Sequence, residues 1–143
     1  MFDQPVKTVM RRHKVVKAPP ETLVFKAAKL MAKKNSGAVL IVEGDHLIGI
    51  CTERDIVFRV VAQGLDPQTT RLADVMTPAP ETVSPDKPFG YVLVRMYEQG
   101  FRHMPVVDAG KVVGVVSSRS AMDPSLEEFV SEAQRRVYFR GKA

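Results

Sequence analysis

The sequence predicts a mixed α/β protein made of two copies of a small β-α-β-β-α unit, followed by a C-terminal helix. Two observations lead to this fold class. The segment 35–55 recurs as 100–120 without a gap, and apolar stripes at helical spacing precede both segments. We expect the copies over 5–65 and 72–123, and a helix with a basic tail over 124–143. Because a unit this small buries too little apolar surface alone, the copies should pack about a pseudo-twofold axis and leave two related clefts.

The repeat is carried by residue character rather than by identity. The two segments read NSGAVLIVEGDHLIGICTERD and GFRHMPVVDAGKVVGVVSSRS. At a shift of 65 positions, Val42 aligns with Val107, Gly49 with Gly114 and Thr52 with Ser117. Apolar, turn and hydroxyl positions match throughout, which indicates that both segments adopt one fold.

A helix precedes each repeated segment. The first stripe and its equivalents 65 positions later are apolar at i, i+3, i+4, i+7 and i+8: Val24, Ala27, Ala28, Met31 and Ala32, then Phe89, Val92, Leu93, Met96 and Tyr97. The stripes predict helices over 21–34 and 87–99, with Pro88 in a first turn, where proline is tolerated.

Each repeated segment contains two short apolar runs separated by a turn. These runs predict strands over 38–42 and 47–51 in the first copy, and over 104–107 and 112–116 in the second. Prolines limit two further short strands, near 14–17 and 81–83. A second helix is expected in the first copy over 54–63, ending at Gly64.

Composition is that of a globular protein. The chain has 143 residues, of which 45% are hydrophobic and 26% charged. No apolar run reaches the roughly 18 residues of a membrane span, and the first residues lack the apolar core of a secretory signal. The single Cys51 excludes an internal disulfide and is expected to act as a small hydrophobe. We therefore expect a cytoplasmic protein with no membrane partner.

The formal net charge of +5 comes largely from basic clusters near both ends of the chain. These clusters either meet phosphate, on nucleic acid or on a small ligand, or form a solvated basic face. No nucleic-acid motif accompanies them, so we expect no nucleic-acid partner. A nucleic-acid-binding protein remains the weaker alternative, and it predicts binding that weakens steeply with salt.

The segment Gly49-Ile50-Cys51-Thr52-Glu53-Arg54-Asp55 resembles the signature of the CBS domain, the cystathionine β-synthase module. Similar matches are 100–107, Asp74-Val75-Met76-Thr77 and Thr8-Val9-Met10. Two such motifs in tandem resemble a Bateman module. This resemblance implies a regulatory pair that binds AMP, ADP, ATP, NAD or S-adenosylmethionine between the repeats. It also implies a disc-shaped homodimer whose response is read by an unknown effector protein.

The resemblance places a ligand between the two copies. It implies contacts from Thr52, Arg54, Asp55, Thr82, Val83, Arg102, His103, Met104 and Pro105. The chemistry of the side chains agrees: an arginine fork suits phosphate, and the two oxygens of Asp55 suit the hydroxyls of a ribose. Two alternatives stay open. Thr52 and Asp55 also fit a helix capping box, and His103 also fits a partly buried structural role.

The second cleft departs from this pattern because Ser120 stands where the first copy has Asp55. A serine hydroxyl cannot accept two hydrogen bonds as a carboxylate does. We expect a weak or empty site whose residues are Lys17, Ala38, Val39, Ser117, Arg119 and Ser120.

Neither catalysis nor metal binding is indicated. The sequence has no nucleophile elbow, phosphate-binding loop or paired metal-ligand spacing, so we expect no enzyme and no required cofactor, only a regulatory adenine nucleotide. The main alternative is a constitutive interaction module with empty clefts. An apolar stripe over the last segment, beginning at Leu126, packs either on its own domain or on a dimer partner.

Overall fold

Helices and strands follow one another in the predicted order in a computed structural model that describes residues 2–11 and 15–119. The predicted helix over 124–143 lies outside the described residues. The elements are β1 (Lys17–Ala18), α1 (Val24–Lys34), β2 (Ala38–Glu43), β3 (His46–Thr52), α2 (Glu53–Asp55), α3 (Leu72–Val75), β4 (Thr77–Pro78), α4 (Phe89–Gln99), β5 (His103–Asp108) and β6 (Lys111–Ser117). A 3₁₀ turn over Val6–Thr8 precedes β1.

The two repeats form equivalent antiparallel hairpins, β2–β3 and β5–β6. The pairs Ala38–Thr52 and His103–Ser117 occupy the same place in each hairpin, 65 positions apart. β1 lies parallel to β2, and in the second repeat Val83 alone makes the corresponding parallel bridge. The pseudo-twofold relation predicted from the sequence is therefore present in the strand register.

The opening segment of each repeat packs on the other repeat. Arg11 pairs with β6, whereas β4 pairs with β3. Val6 is buried in the core of the second repeat, and Leu72 is buried in the core of the first. These opening segments are equivalent at a shift of 66 positions rather than 65. Consequently the spatial halves differ from the sequence ranges 5–65 and 72–123, which stay a prediction as domain boundaries.

The exchanged segments also explain why the helices begin later than expected. Leu23 is extended and bridges to Arg71, and Pro88 is extended and bridges to Pro5. α1 and α4 therefore start at Val24 and Phe89, not near residues 21 and 87. Pro88 is the N-cap residue and does not lie in the first turn.

The predicted helix over 54–63 is correct in place but differs in form. It begins at Glu53, and from Ile56 to Val61 it continues as a π-helix. The wider turns are seen in the hydrogen bonds from Ala62 N–H to the Val57 carbonyl and from Leu65 N–H to the Val60 carbonyl, both 2.9 Å. A π-helical stretch is uncommon and often adjoins a functional site.

Three apolar clusters hold the described chain together. The first fills one half between α1, the β2–β3 hairpin, the π-helix and α3, and the second fills the other half beneath α4. A third joins the two sheets through Ala38, Leu40, Ile50 and Val112. Cys51 lies in the first cluster, where burial raises the pKa of its thiol to about 12. It is therefore a protonated hydrophobe, not a reactive thiol.

Candidate functional site

A cavity of about 800 Å³ opens between the two halves, and we call it the first cleft. The end of β3 and the start of α2 form one wall, with Thr52, Arg54 and Asp55. Across the opening, Arg102 and His103 lie where β5 begins. The remaining lining residues are Ile50, Glu53, Val57, Phe58, Thr77, Pro80, Glu81, Gln99, Gly100 and Phe101. Small-molecule sites have volumes of roughly 300–1,000 Å³, so the cleft is large enough for a ligand.

Thr52 and Asp55 form a helix capping box, one of the two alternatives that their spacing predicts. The Asp55 N–H donates to Thr52 Oγ1 at 3.2 Å, and the Thr52 N–H donates to Asp55 Oδ2 at 2.9 Å. Asp55 Oδ1 lies 3.8 Å from Arg59 Nε. The carboxylate is thus fixed at the cleft wall by its own helix, and its side chain is only 16% exposed.

Arg54 is oriented by an aromatic ring one turn further along the helix. Its guanidinium carbon lies 5.1 Å from the centre of the Phe58 ring, within the range of a cation–π contact. Both residues line the first cleft. The permanent positive charge of Arg54 therefore lies at the cleft opening, against the exposed ring of Phe58.

Glu81 reaches the same cleft from the segment that follows β4. Arg95 of α4 donates to it through Nε at 2.6 Å and Nη2 at 3.1 Å. Both side chains are less than one-third exposed, so this two-bond pair is stronger than a surface ion pair. It ties the cleft wall to α4.

His103 is a largely buried titratable side chain of the first cleft. Burial lowers the pKa of its imidazole, and this effect outweighs the nearby charge of Glu53, which raises the pKa. Its Nδ1 is buried without a hydrogen-bond partner within the described chain. The imidazole is therefore neutral at pH 7.

A second cavity, of about 460 Å³, lies across the pseudo-twofold axis, and we call it the mirror cleft. Ser117 and Arg119 line it and are equivalent to Thr52 and Arg54 of the first cleft. The other lining residues are Arg11, Ala28, Met31, Ala32, Asn35, Ser36, Gly37, Glu53, Arg102, His103, Val115 and Ser118.

A family model for the CBS domain matches the chain twice, over residues 6–62 and 72–126. The chain belongs to the CBS-domain family. The matched ranges run in tandem, so the protein contains a CBS pair, as the sequence motifs indicated.

Curated relatives extend this family across distant organisms. The chain is 34% identical over 125 residues to meiotically up-regulated gene 70 protein of Schizosaccharomyces pombe. It is 33% identical over 134 residues to an uncharacterised protein of Methanopyrus kandleri. The matches cover 80% and 92% of this chain, but only 17% and 68% of those relatives. The chain therefore spans about one-sixth of the length of the fission yeast protein.

Solved structures share the CBS-pair fold. An uncharacterised conserved protein from Pyrococcus horikoshii is 28% identical, with a TM-score of 0.80 over 87% of this chain and 94% of that one. The CBS domain pair of protein MJ0100, in complex with 5′-methylthioadenosine and S-adenosylmethionine, is 28% identical, with a TM-score of 0.74 over 82% and 91%. A CBS domain protein from Pyrobaculum aerophilum complexed with AMP is 25% identical, with a TM-score of 0.77 over 90% and 99%.

Five of the nine residues predicted for the main site of this CBS pair line the first cleft: Thr52, Arg54, Asp55, Arg102 and His103. The other four, Thr82, Val83, Met104 and Pro105, do not line the cavity, although each lies within two positions of a lining residue, Glu81 or His103. Val83 and Met104 are buried in the core of the second half. Val83 also donates its N–H to the Pro105 carbonyl at 3.1 Å, which occupies its backbone donor.

The predicted set for the mirror cleft of the CBS pair is only partly brought together. Ala38 and Val39 are buried in the cores and do not line it. Lys17 lies in a separate depression, where its Nζ is 3.5 Å from the Val112 carbonyl. Ala38 and Val39 are enclosed in two different apolar clusters and Lys17 reaches the Val112 carbonyl, so none of the three lines the mirror cleft; their role in ligand binding stays a prediction. Ser120 lies outside the described residues.

Sequence reasoning missed Phe58 and Glu81 as lining residues of the CBS pair. Phe58 follows Arg54 by four positions, which on a helix places the two side chains together, so the spacing contained a usable signal. Glu81 gave no such signal, because its position depends on the ion pair with the distant Arg95.

Two functions receive no support from the described part of this CBS pair. Within residues 2–11 and 15–119, no group of histidine, cysteine or acidic side chains is arranged to hold a metal ion. Over the same residues, no helix is both long and apolar enough to span a bilayer.

Proposed function

We propose that this protein is a regulatory CBS pair that binds an adenosine-containing ligand in the first cleft. One observation carries the proposal: Thr52, Arg54 and Asp55 line one cavity together with Arg102 and His103 from the other half. Two CBS-pair structures of the same fold support it, one with AMP and one with 5′-methylthioadenosine and S-adenosylmethionine. Adenosine is the group that these ligands share.

Each polar group has a defined task in this proposal. A carboxylate oxygen has two acceptor positions, so Asp55 retains acceptors for ribose hydroxyls after it has capped the helix. Arg54, oriented by Phe58, binds an anionic group of the ligand. Backbone groups around Arg102 and His103, which line the first cleft, contact the adenine edge. Val83 contributes no N–H, because that donor already bonds to Pro105.

Ligand binding stabilises one relative arrangement of the halves, and a partner protein reads that arrangement. A ligand shifts such an equilibrium only by its differential affinity for the two arrangements. We assign the chain no catalytic step.

We propose a homodimer as its working form, supported by exposed apolar side chains at Tyr91, Val94 and Tyr97 of α4. Light scattering tests this assembly, and Val94→Glu should shift a dimer towards monomer.

The test of ligand binding is a thermal-shift and calorimetric titration with AMP, ADP, ATP, NAD and S-adenosylmethionine. At a hundredfold excess over Kd, one-site binding should stabilise the wild type by about 2.7 kcal/mol. Asp55→Asn should lose most of this shift, since it removes the charge while the amide oxygen still caps the Thr52 N–H. Asp45→Asn, an exposed hairpin position, is the matched control and should keep the full shift.

Two results would reject the proposal. If none of the five ligands shifts a folded wild type, the chain is better described as a constitutive interaction module with empty clefts. If Asp55→Asn keeps the whole shift, the ligand binds elsewhere than in the first cleft.

A further inference from the structure

Among residues 2–11 and 15–119, three side chains line both cavities: Glu53, Arg102 and His103. The first cleft and the mirror cleft are therefore separated by a single layer of side chains at the pseudo-twofold axis. A group in this layer faces whatever occupies either cavity. Arg102 carries the only permanent positive charge among the three.

The repeat does not supply a second cation at this layer. The residue equivalent to Arg102 at a shift of 65 is Gly37, and the carbonyls of both residues accept equivalent backbone hydrogen bonds. The Glu53 N–H donates to the Gly37 carbonyl at 2.9 Å, and the Ser118 N–H donates to the Arg102 carbonyl at 2.7 Å. A Cβ at Gly37 would lie 3.0 Å from Glu53 Oε1 and 3.2 Å from His103 Nε2. The space that a side chain at residue 37 would need is thus filled by the two neighbours.

Apart from Arg102, the arginine that lines the first cleft is Arg54, and those that line the mirror cleft are Arg119, at the equivalent position, and Arg11. Arg102 is exposed, and it forms no ion pair within the described residues 2–11 and 15–119. No carboxylate of that part of the chain therefore holds it on one side of the layer.

We propose that Arg102 serves anions in both clefts but neutralises only one at a time, so that phosphate groups in the two clefts bind with negative coupling. This proposal rests on the proposed binding of an adenosine-containing ligand in the first cleft. An anion in the mirror cleft attracts the guanidinium and weakens the hold of the first cleft on a ligand phosphate. By linkage, a ligand phosphate in the first cleft lowers the affinity of the mirror cleft for the anion by the same factor. An adenosyl ligand without phosphate escapes the effect.

The experiment measures calorimetric affinities of AMP and of adenosine for the full chain, with and without saturating inorganic pyrophosphate at constant ionic strength. It compares the wild type with Arg119→Gln and Arg102→Gln. In the wild type, pyrophosphate should lower AMP affinity by at least about fivefold and leave adenosine affinity little changed. In Arg119→Gln the loss should shrink, because the mirror cleft holds the anion less well. In Arg102→Gln the weakened AMP affinity should no longer respond to pyrophosphate.

Other outcomes overturn the coupling. An equal loss of AMP affinity in the wild type and in Arg119→Gln would mean that pyrophosphate competes directly in the first cleft. An equal loss for adenosine and AMP would mean that the effect does not act through phosphate, and no loss would mean that the clefts are independent. Failure of the wild type to bind AMP, adenosine and every other ligand of the thermal-shift set would instead reject the proposed function itself. Circular dichroism of each variant verifies its fold.

Discussion

Asp55 forms a helix cap and, in the proposed function, also binds the ribose of the ligand, two roles that are alternatives when only the sequence is considered. Its spacing from Thr52 predicted either a capping box or a ribose contact, and the structure contains the capping box at 2.9 and 3.2 Å. The cap does not use up the carboxylate, and it holds the group rigidly where a cavity opens. Substitution to alanine would therefore remove a helix cap, typically worth about 0.5–2 kcal/mol, along with any ligand contact. For this reason the conservative change to asparagine is the informative one.

His103 makes a prediction at the same scale, in the pH dependence of stability. Because burial lowers its pKa in the folded chain, the unfolded chain takes up a proton near its usual value of about 6.5 while the folded chain stays neutral. Unfolding then becomes easier as pH falls through that value, since the unfolded state binds more protons. The free energy of unfolding of the wild type, measured with urea, should decrease between about pH 7 and 5.5.

The matched variants isolate this residue. His103→Gln removes the titrating group, so its stability should fall less steeply with decreasing pH than that of the wild type. His46→Gln, which changes an exposed histidine at the start of β3, should keep the wild-type slope. Parallel curves for His103→Gln and the wild type would show that the imidazole does not titrate as its burial requires.

At the scale of elements, the helices and hairpins could be predicted from the sequence. Which half each opening segment packs on could not. Periodicity placed α1, α4 and both hairpins to within a few residues, since each is decided by its own apolar pattern. The exchange of opening segments left no local signal, because Val6 and Leu72 look equally apolar whichever core receives them. The same limit applies to the site. Arg54 and Asp55 were identified from a short motif, but Glu81 depends on a contact with Arg95.

The exchange predicts two substitutions with separate local effects. Val6→Ala should weaken the docking of the first segment on β6, and so reduce hydrogen-exchange protection of the mutually bonded amides of Arg11 and Val115. Leu72→Ala should instead expose the pair of Ile50 and Thr77. Both side chains are fully buried, so Leu72→Ala should cost about 2–5 kcal/mol and Val6→Ala rather less.

Each variant is the control for the other, because both shorten a buried side chain in an equivalent segment. Exchange must be measured under conditions in which local opening costs less free energy than global unfolding. If Val6→Ala loosened the β3–β4 pair as much as the β6 edge, the segments would not act as separately docked units.

At the scale of the whole molecule, the two sheets meet through a small apolar cluster that contains Leu40 and Val112. This contact, together with the exchanged segments, sets how the halves face each other and therefore the shape of both clefts. Neighbouring residues of β2 point in opposite directions: Leu40 faces the other sheet, whereas Ile41 faces the core of its own half. A substitution at Leu40 therefore disturbs the contact between the sheets, whereas one at Ile41 disturbs the core of one half.

Leu40→Ala should weaken binding of AMP by about 2- to 30-fold, although Leu40 does not line the first cleft. Ile41→Ala removes a similarly buried side chain, and both changes should cost about 2–5 kcal/mol of stability. AMP affinity in Ile41→Ala should stay close to that of the wild type, because the core of one half does not set the angle between halves. Calorimetry below the unfolding transition compares the two variants. Equal affinity losses would mean that binding follows overall stability, and that the contact between the sheets does not position the cleft walls.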